Sequence, residues 1–187
     1  FGDLVSYARK IDKNIGNGSQ FSTAVLKNYF KLMAYKDEYE VSRLMTNKKF
    51  VDDVNKNFEG NFNYNFYLAP PIFSKKSKVD GKLLKVKFGG WLFNVFKLLS
   101  KFKFLRGTKL DPFGYLNERK KERELIRDYK QTITDIGIKI NKSNYETAVK
   151  IASVPDQIRG FGHVKEKNIK EAINYRTDLL NSFHENT

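Results

Sequence analysis

Apolar residues recur at steps of three and four along most of the chain, and this spacing limits the fold more than any other feature. From Leu4 to Ile15 the apolar positions keep to one side of a helix, as an amphipathic helix requires. The same spacing predicts further helices over residues 25–35, 41–45, 50–58, 91–104, 116–136, 143–154 and 163–183. The sequence therefore predicts a mainly helical fold.

Two short stretches, 62–68 and 84–88, instead alternate between apolar and polar residues, which is the period of a β-strand. Pro70-Pro71 ends the first stretch, because proline cannot donate a hydrogen bond to a strand ladder. Asp80-Gly81 supplies turn chemistry before the second. We expect an antiparallel β-ribbon over about residues 62–88 in a mainly α (α+β) fold, with residues 1–187 forming a single domain.

The chain contains no cysteine, which excludes disulfides, thiolate nucleophiles and cysteine-held zinc or iron–sulfur sites from these residues. Its two histidines, His163 and His184, are too far apart in sequence for a helical zinc pair. We predict neither a metal site nor a catalytic set. The first residue is Phe1, so we expect a piece of a longer polypeptide, and no apolar run reaches the length of about 18 residues of a membrane span. We expect a cytoplasmic protein with no membrane partner.

The formal net charge is +14, and most of it is placed between Lys75 and Lys109, where eleven basic residues accompany one acid, Asp80. Interleaved aromatic residues make a nucleic-acid groove or an anionic membrane surface conceivable. The whole chain has 27 Lys and 8 Arg, whereas nucleic-acid sites favour arginine for its bidentate geometry. We interpret the charge as a solvated or interdomain surface and keep a nucleic-acid-binding module as the alternative.

The predicted helix from Trp91 to Phe104 has only a narrow polar stripe, formed by Asn94, Lys97 and Lys101. A helix that is apolar around so much of its circumference must be mostly covered by other parts of the protein. An amphipathic membrane anchor is the competing interpretation.

Arg119, Arg123 and Arg127 follow one another at four-residue steps, so their guanidinium groups share one helix face. They could bind a phosphate or carboxylate, but neighbouring glutamates favour a ladder of salt bridges. A contact with an anion such as coenzyme A through Arg119, Arg123, Arg159 and Lys165 is a further possibility.

The segment from Arg159 to Lys165 combines two glycines with Arg159, His163 and Lys165 just before a helix. Glycine permits a bend at positive φ, and helix N-termini bind anions readily. His163 could be a general base, but a hydrogen-bonded helix cap is the simpler interpretation. Asp111, which precedes a proline, is expected to cap a turn. The candidate anion or interface residues are Arg119, Arg123, Arg159, His163 and Lys165.

Eight strings, taken together and in order, resemble the C-terminal domain of the large fused indolepyruvate ferredoxin oxidoreductases. The resemblance spans about residues 25–168, and the ordered set is specific although no single string is. The strings are Tyr29–Val41, Leu68–Pro71, Phe88–Trp91, Leu105–Thr108, Leu110–Tyr115, Glu118-Arg119, Glu122-Arg123 and Ile158–Lys165.

The resemblance implies a parent enzyme that oxidatively decarboxylates arylpyruvates to acyl-coenzyme A and passes electrons to ferredoxin. Thiamine diphosphate, magnesium and iron–sulfur clusters are its implied cofactors, held by other domains. The lack of cysteine here agrees with that division, as does Gly2-Asp3, which does not continue into a thiamine-binding Gly-Asp-Gly motif. No catalytic residue carries over. We expect a C-terminal, non-catalytic structural or interaction domain whose partners are other domains or subunits of the parent.

Overall fold

The computed structural model describes residues 1–35, 37–60, 62–68, 84–160 and 162–185. Over these residues the chain forms eight α-helices and one antiparallel ribbon of two strands, which confirms the predicted mainly α fold. In chain order the elements are α1 (Gly2–Ile15), α2 (Gln20–Met33), α3 (Glu38–Met45), α4 (Lys48–Asn57), β1 (Phe66–Leu68), β2 (Val86–Phe88), α5 (Leu92–Lys101), α6 (Asn117–Lys139), α7 (Tyr145–Ser153) and α8 (Gly162–Glu185). Short 3-10 turns cover Phe102–Leu105, Phe113–Tyr115 and Val154–Gln157.

The chain divides into two compact units. Unit 1 contains Phe1–Tyr35 and Lys121–Thr187, and unit 2 contains Lys36–Lys120, so the division falls within α6. Two compact units can belong to one domain, and the single domain over residues 1–187 stays a prediction.

Unit 1 is a helical bundle with an apolar interior. α2 packs on α1 and α7, and α7 packs on α8. Phe21, Ile133, Tyr145 and Phe183 are inaccessible to solvent in this core. Because burying a large apolar side chain contributes about 1.5–3 kcal/mol, each of these residues is expected to stabilise the unit.

A buried carboxylate caps α2. The side chain of Ser19 makes no capping hydrogen bond. The Ser22 amide donates to Asp12 Oδ2 at 2.9 Å, and the Tyr145 hydroxyl donates to Asp12 Oδ1 at 2.7 Å. The Phe21 amide in turn donates to the Tyr145 hydroxyl at 3.2 Å. Asp12 therefore satisfies the open N-terminus of α2 and ties it to α1 and α7.

The helix predicted over residues 143–154 is confirmed as α7, which ends at Ser153. α7 begins at Tyr145 after Asn144. Asn144 is buried and its side chain closes the turn after α6, accepting from the Asn141 amide at 2.7 Å and donating to the Lys139 carbonyl at 3.1 Å. An amide can donate and accept at once, which suits this turn.

Unit 2 is built around α5, which packs on α3 and carries the ribbon. The strands pair with Phe66 opposite Phe88 and Leu68 opposite Val86. Phe66 meets Phe96 edge to face with 5.3 Å between ring centroids. Aromatic contacts of this kind fix the ribbon to the helix.

Several sequence predictions fall on residues that the structure does not describe. Pro70-Pro71, the Asp80-Gly81 turn and the basic residues between Lys75 and Lys82 lie outside the described residues, as does Phe161. Among the helices of the described residues, none is long and apolar enough to cross a membrane.

Candidate functional site

The arginines of α6 do not share one environment. Arg119 is buried, Arg123 is half-buried and Arg127 is exposed. Arg119 Nε lies 3.6 Å from Glu38 Oε2, which is an ion-pair distance rather than a hydrogen bond. Glu122, which the sequence places near the arginines, instead accepts a hydrogen bond from Lys165 Nζ at 2.7 Å. Arg119 also lies 4.0 Å from Glu118, so the predicted salt bridges exist in part within α6, and other ion pairs link α6 to other segments.

The segment from Arg159 to Lys165 has the bend that its glycines predict. Gly160 and Gly162 have φ values of 87° and 54°, in the left-handed region that glycine adopts without strain. Arg159 is exposed, and its Nε donates to the Asp156 carbonyl at 3.0 Å. His163 is exposed at the start of α8. Lys165 is paired with Glu122, and Arg159 donates to a carbonyl of its own turn. Neither contact tests whether these residues bind an anion together, so the common anion contact stays a prediction.

Charged residues from two separate stretches of the sequence come together in unit 2. Asp37 caps α3 by accepting from the Glu40 amide at 2.8 Å. The same carboxylate lies 2.6 Å from Arg106 Nε. Glu40 pairs with Arg43 at 2.6 Å and with Lys103 at 3.3 Å. These pairs connect the start of α3 to the segment after α5, about 65 residues later in the sequence.

Asp111 holds the next turn, as the sequence predicts. Its Oδ2 accepts from the Gly107 amide at 2.9 Å, and its Oδ1 accepts from the Phe113 amide at 3.1 Å and the Tyr39 hydroxyl at 3.2 Å. A Cβ on Gly114 would lie 2.9 Å from this carboxylate, so the close approach requires glycine. Asp111 is therefore a structural residue.

The titration of this cluster follows from its contacts. Burial, and then the Asp111 carboxylate, raise the pKa of Tyr39 to about 12. The hydrogen bond from Arg43, with help from Lys103, lowers the pKa of Glu40 to about 2. Burial raises the pKa of Glu38, opposed by the charge of Arg119. We call the set Asp37, Glu38, Tyr39, Glu40, Arg43, Lys103, Arg106, Asp111 and Arg119 the polar cluster; its contacts position α3 and, through it, α5.

The surface that this arrangement leaves open is an apolar face of α5. Trp91, Val95, Leu98 and Phe102 follow one another at steps of four, three and four and are 62%, 42%, 58% and 38% exposed. Leu92 and Phe96 on the other side of the helix are buried. We call the four exposed residues the α5 stripe. The prediction that this helix is mostly covered is wrong for the stripe, because α3 and the ribbon pack against its other sides.

Aromatic neighbours extend the α5 stripe at both ends. Phe88 of β2 meets Trp91 edge to face at 6.2 Å between centroids. Phe102 lies 6.0 Å from Phe104, which is 71% exposed. Contiguous exposed apolar surface of this kind marks an interaction site.

Lysines border the α5 stripe without matching acids. Residues 84–110 contain no aspartate or glutamate. Lys103 and Arg106 have carboxylate partners in the polar cluster. Among the described residues, no carboxylate lies within 4.0 Å of the other basic side chains of this segment: Lys85, Lys87, Lys97, Lys101 and Lys109. Lys97 Nζ instead lies 5.0 Å from the centroid of the Phe93 ring, a cation–π distance.

The sequence contained a signal for this surface that periodicity alone did not resolve. A helix with apolar residues on more than one face can be covered by its own domain or by a partner, and the two cases give the same pattern.

Within the part of the chain that is described, no three His, Asp or Glu side chains are grouped so that they could hold a metal ion.

Comparison with known proteins identifies a family. The profile of a family described as "Family of unknown function (DUF6537)" matches residues 1–177. Neither the curated proteins nor the solved structures give a match.

Proposed function

Because the chain belongs to the DUF6537 family, whose description names no activity, we propose its function from its own residues: it is the non-catalytic C-terminal structural and interaction domain of a thiamine-diphosphate-dependent indolepyruvate ferredoxin oxidoreductase. The sequence resemblance supplies the parent enzyme. The α5 stripe supports the interaction role and is the observation that carries it.

The stripe has the properties of a protein interface. Its centre is formed by apolar side chains of four different sizes, anchored on a helix whose opposite side is fixed in the core of unit 2. Tryptophan and phenylalanine are enriched at the centre of interfaces, where they bury large areas. We assign the stripe to contact with another domain or subunit of the parent enzyme.

The residues of this chain do not fit the iron–sulfur clusters of such an enzyme. Those clusters are held mainly by cysteine thiolates, and the chain has no cysteine. The described residues also offer no grouped carboxylates to magnesium. We therefore assign to this chain no step of the parent's reaction, whose ferredoxin and coenzyme A we expect to bind elsewhere.

The proposal is tested by titrating the 187-residue chain into the thiamine-binding and cluster-binding parts of the oxidoreductase from the same genome. Calorimetry gives the affinity of the complex. Leu98→Asp is expected to weaken binding by about 100-fold or more, because an unpaired carboxylate would be buried at the interface. Ile138→Asp is the matched control, since Ile138 is 77% exposed on α6 and lies outside the α5 stripe.

Three results would contradict the proposal. The first is that the wild-type chain forms no complex, and the second is that Leu98→Asp and Ile138→Asp weaken the complex equally. The third is that the chain alone binds thiamine diphosphate and decarboxylates indolepyruvate.

A basic nucleic-acid-binding module is the second candidate, favoured by the exposed Trp91 and Phe104 beside unpaired lysines. Aromatic rings stack on bases, and lysines follow phosphates. Fluorescence anisotropy with duplex and single-stranded DNA across a salt series separates the two candidates. Sub-micromolar affinity at physiological salt favours the nucleic-acid module, whereas weak and sequence-blind binding favours the interaction domain.

A further inference from the structure

We infer that the partner of the α5 stripe is an acidic protein surface, in which an apolar ridge of three helical turns is flanked by carboxylates. This inference rests on the proposed function, because it names the chemistry of the partner for the same surface. Two observations carry it: the shape of the apolar stripe and the uncompensated charge along its edge.

The stripe is linear and fits a helical ridge. From Trp91 to Phe102 it extends over eleven residue steps of nearly continuous helix, or about 16 Å at 1.5 Å per step. An amphipathic helix presents apolar side chains at positions i, i+3 or i+4, and i+7 over the same length. A partner helix could therefore bury the whole stripe.

The charge lies on one flank of the stripe. Lys97 and Lys101 are one helical turn apart on α5. Lys101 follows Leu98 by three residues and therefore neighbours it on the helix surface, whereas Lys97 Nζ lies 5.0 Å from the centroid of the Phe93 ring. In the sequence, Lys85 and Lys87 precede Trp91 by six and four residues. None of these four has a carboxylate partner among the described residues. Opposite charges on the partner would be matched here, and like charges would be repelled.

The polar cluster shows why this charge is available. Lys103 and Arg106 point their charges at Glu40 and Asp37 and are therefore neutralised within unit 2. Lys97 and Lys101 have no carboxylate neighbour of this kind among the described residues. The fold uses Lys103 and Arg106 for internal contacts and leaves Lys97 and Lys101 of α5 to the surface.

A protein partner agrees with these observations better than nucleic acid or a membrane. The centre of the stripe is aliphatic, with Val95 and Leu98, and aliphatic side chains do not stack on bases. A helix in a bilayer interface has its polar face opposite its apolar face. In α5 the side opposite the lysines is instead buried through Leu92 and Phe96, so the lysines border the stripe rather than oppose it.

Fluorescence anisotropy with two labelled peptides of 18 residues tests the inference. Both carry Leu and Phe at helical a and d positions; one has Glu and the other Lys at every remaining surface position. We expect the acidic peptide to bind at least about tenfold more tightly than the basic peptide. The double variant K97E/K101E should reverse this preference, and binding of the acidic peptide should weaken as salt rises.

The matched control for charge is K10E/K142E, which changes the net charge equally at exposed lysines of unit 1. It should leave the preference unchanged, and circular dichroism checks that both double variants fold. Equal binding of the two peptides, tighter binding of the basic one, or an unchanged preference in K97E/K101E overturns the inference. So does binding to phosphatidylserine vesicles or duplex DNA without binding to the acidic peptide.

Failure of this inference is distinguishable from failure of the proposed function. Suppose that the rest of the oxidoreductase binds the chain and that Leu98→Asp abolishes the complex, but that K97E/K101E has no effect. The proposed interaction domain is then supported, and the inference of an acidic partner is wrong. If the rest of the oxidoreductase does not bind while the acidic peptide does, the parent enzyme is wrong and the acidic chemistry stands.

Discussion

Among the described residues, unit 1 buries a larger share of its aromatic side chains than unit 2 does. In unit 1, Phe21, Tyr145 and Phe183 are fully buried among aliphatic side chains. In unit 2, Trp91, Phe102 and Phe104 remain exposed on and after α5. Apolar burial stabilises the first unit, whereas the second combines a small core with charged contacts and presents its largest apolar side chains to the surroundings. The difference agrees with the proposal that unit 1 is the scaffold and unit 2 the contact surface.

The largest expected effect breaks the scaffold. Phe21→Ala removes a fully buried ring and is expected to lower the free energy of unfolding by about 3–5 kcal/mol. Phe104→Ala makes the same chemical change at an exposed position of unit 2 and should cost less than about 0.5 kcal/mol. Urea unfolding of both variants measures the two values. Similar losses in the two variants would contradict the contrast between the units.

A smaller effect is expected when the polar cluster of unit 2 loses its central acceptor. Asp111→Ala leaves the Tyr39 hydroxyl and the amides of Gly107 and Phe113 without this acceptor, which is expected to cost about 1–3 kcal/mol. Hydrogen exchange should show the loss of protection in residues 103–116 rather than in unit 1. The control is Asp53→Ala, since the Asp53 side chain is exposed on α4. Uniform loss of protection across both units would argue against a local role.

The polar cluster also makes unit 2 sensitive to acid. The pKa of Glu40 is lowered to about 2, so its charged form stabilises the folded state above the unfolded pKa of about 4.3. This contribution is lost as the pH falls from about 5 towards 2, since the folded state must then take up a proton that the unfolded state already binds. Glu40→Gln should remove this contribution. The stability difference between wild type and variant should therefore shrink over that range, and a difference independent of pH would refute the assignment.

The smallest effect on stability is expected at the centre of the contact surface. Leu98→Ala removes a side chain that is 58% exposed, so the free energy of unfolding should change by less than about 0.5 kcal/mol. Ile133→Ala provides the buried comparison in unit 1 and should cost about 2–5 kcal/mol. Thermal unfolding checks both. A large loss for Leu98→Ala would mean that the α5 stripe belongs to the core of unit 2.

Periodicity predicted most of the fold, because the buried face of a helix or strand requires apolar residues at a regular spacing in the sequence. The helices and the ribbon lie where the apolar spacing places them, although the strands are limited to Phe66–Leu68 and Val86–Phe88. The caps were less predictable. Asp12 caps α2 from ten residues away and Tyr145 joins it from α7, and such pairings depend on tertiary packing rather than on local sequence.

The site was only partly predictable for a related reason. Asp111 had the local signature of a turn cap and fulfils that role. The ion pair of Arg119 with Glu38, and that of Lys165 with Glu122, join residues far apart in sequence. The exposure of the α5 stripe was not predicted, because an apolar helix face indicates that the face is covered but not whether the covering surface belongs to the same unit.

The central claim is that a partner covers the α5 stripe, and Trp91 reports on it directly as the single tryptophan of the chain. Incorporation of 5-fluorotryptophan gives one fluorine resonance, free of signals from an unlabelled partner. In the isolated chain this resonance should shift between H2O and D2O, because Trp91 is 62% exposed. On addition of the rest of the oxidoreductase we predict that the resonance moves and that its solvent isotope shift disappears. A resonance that keeps its position and its isotope shift at saturating partner would contradict the account.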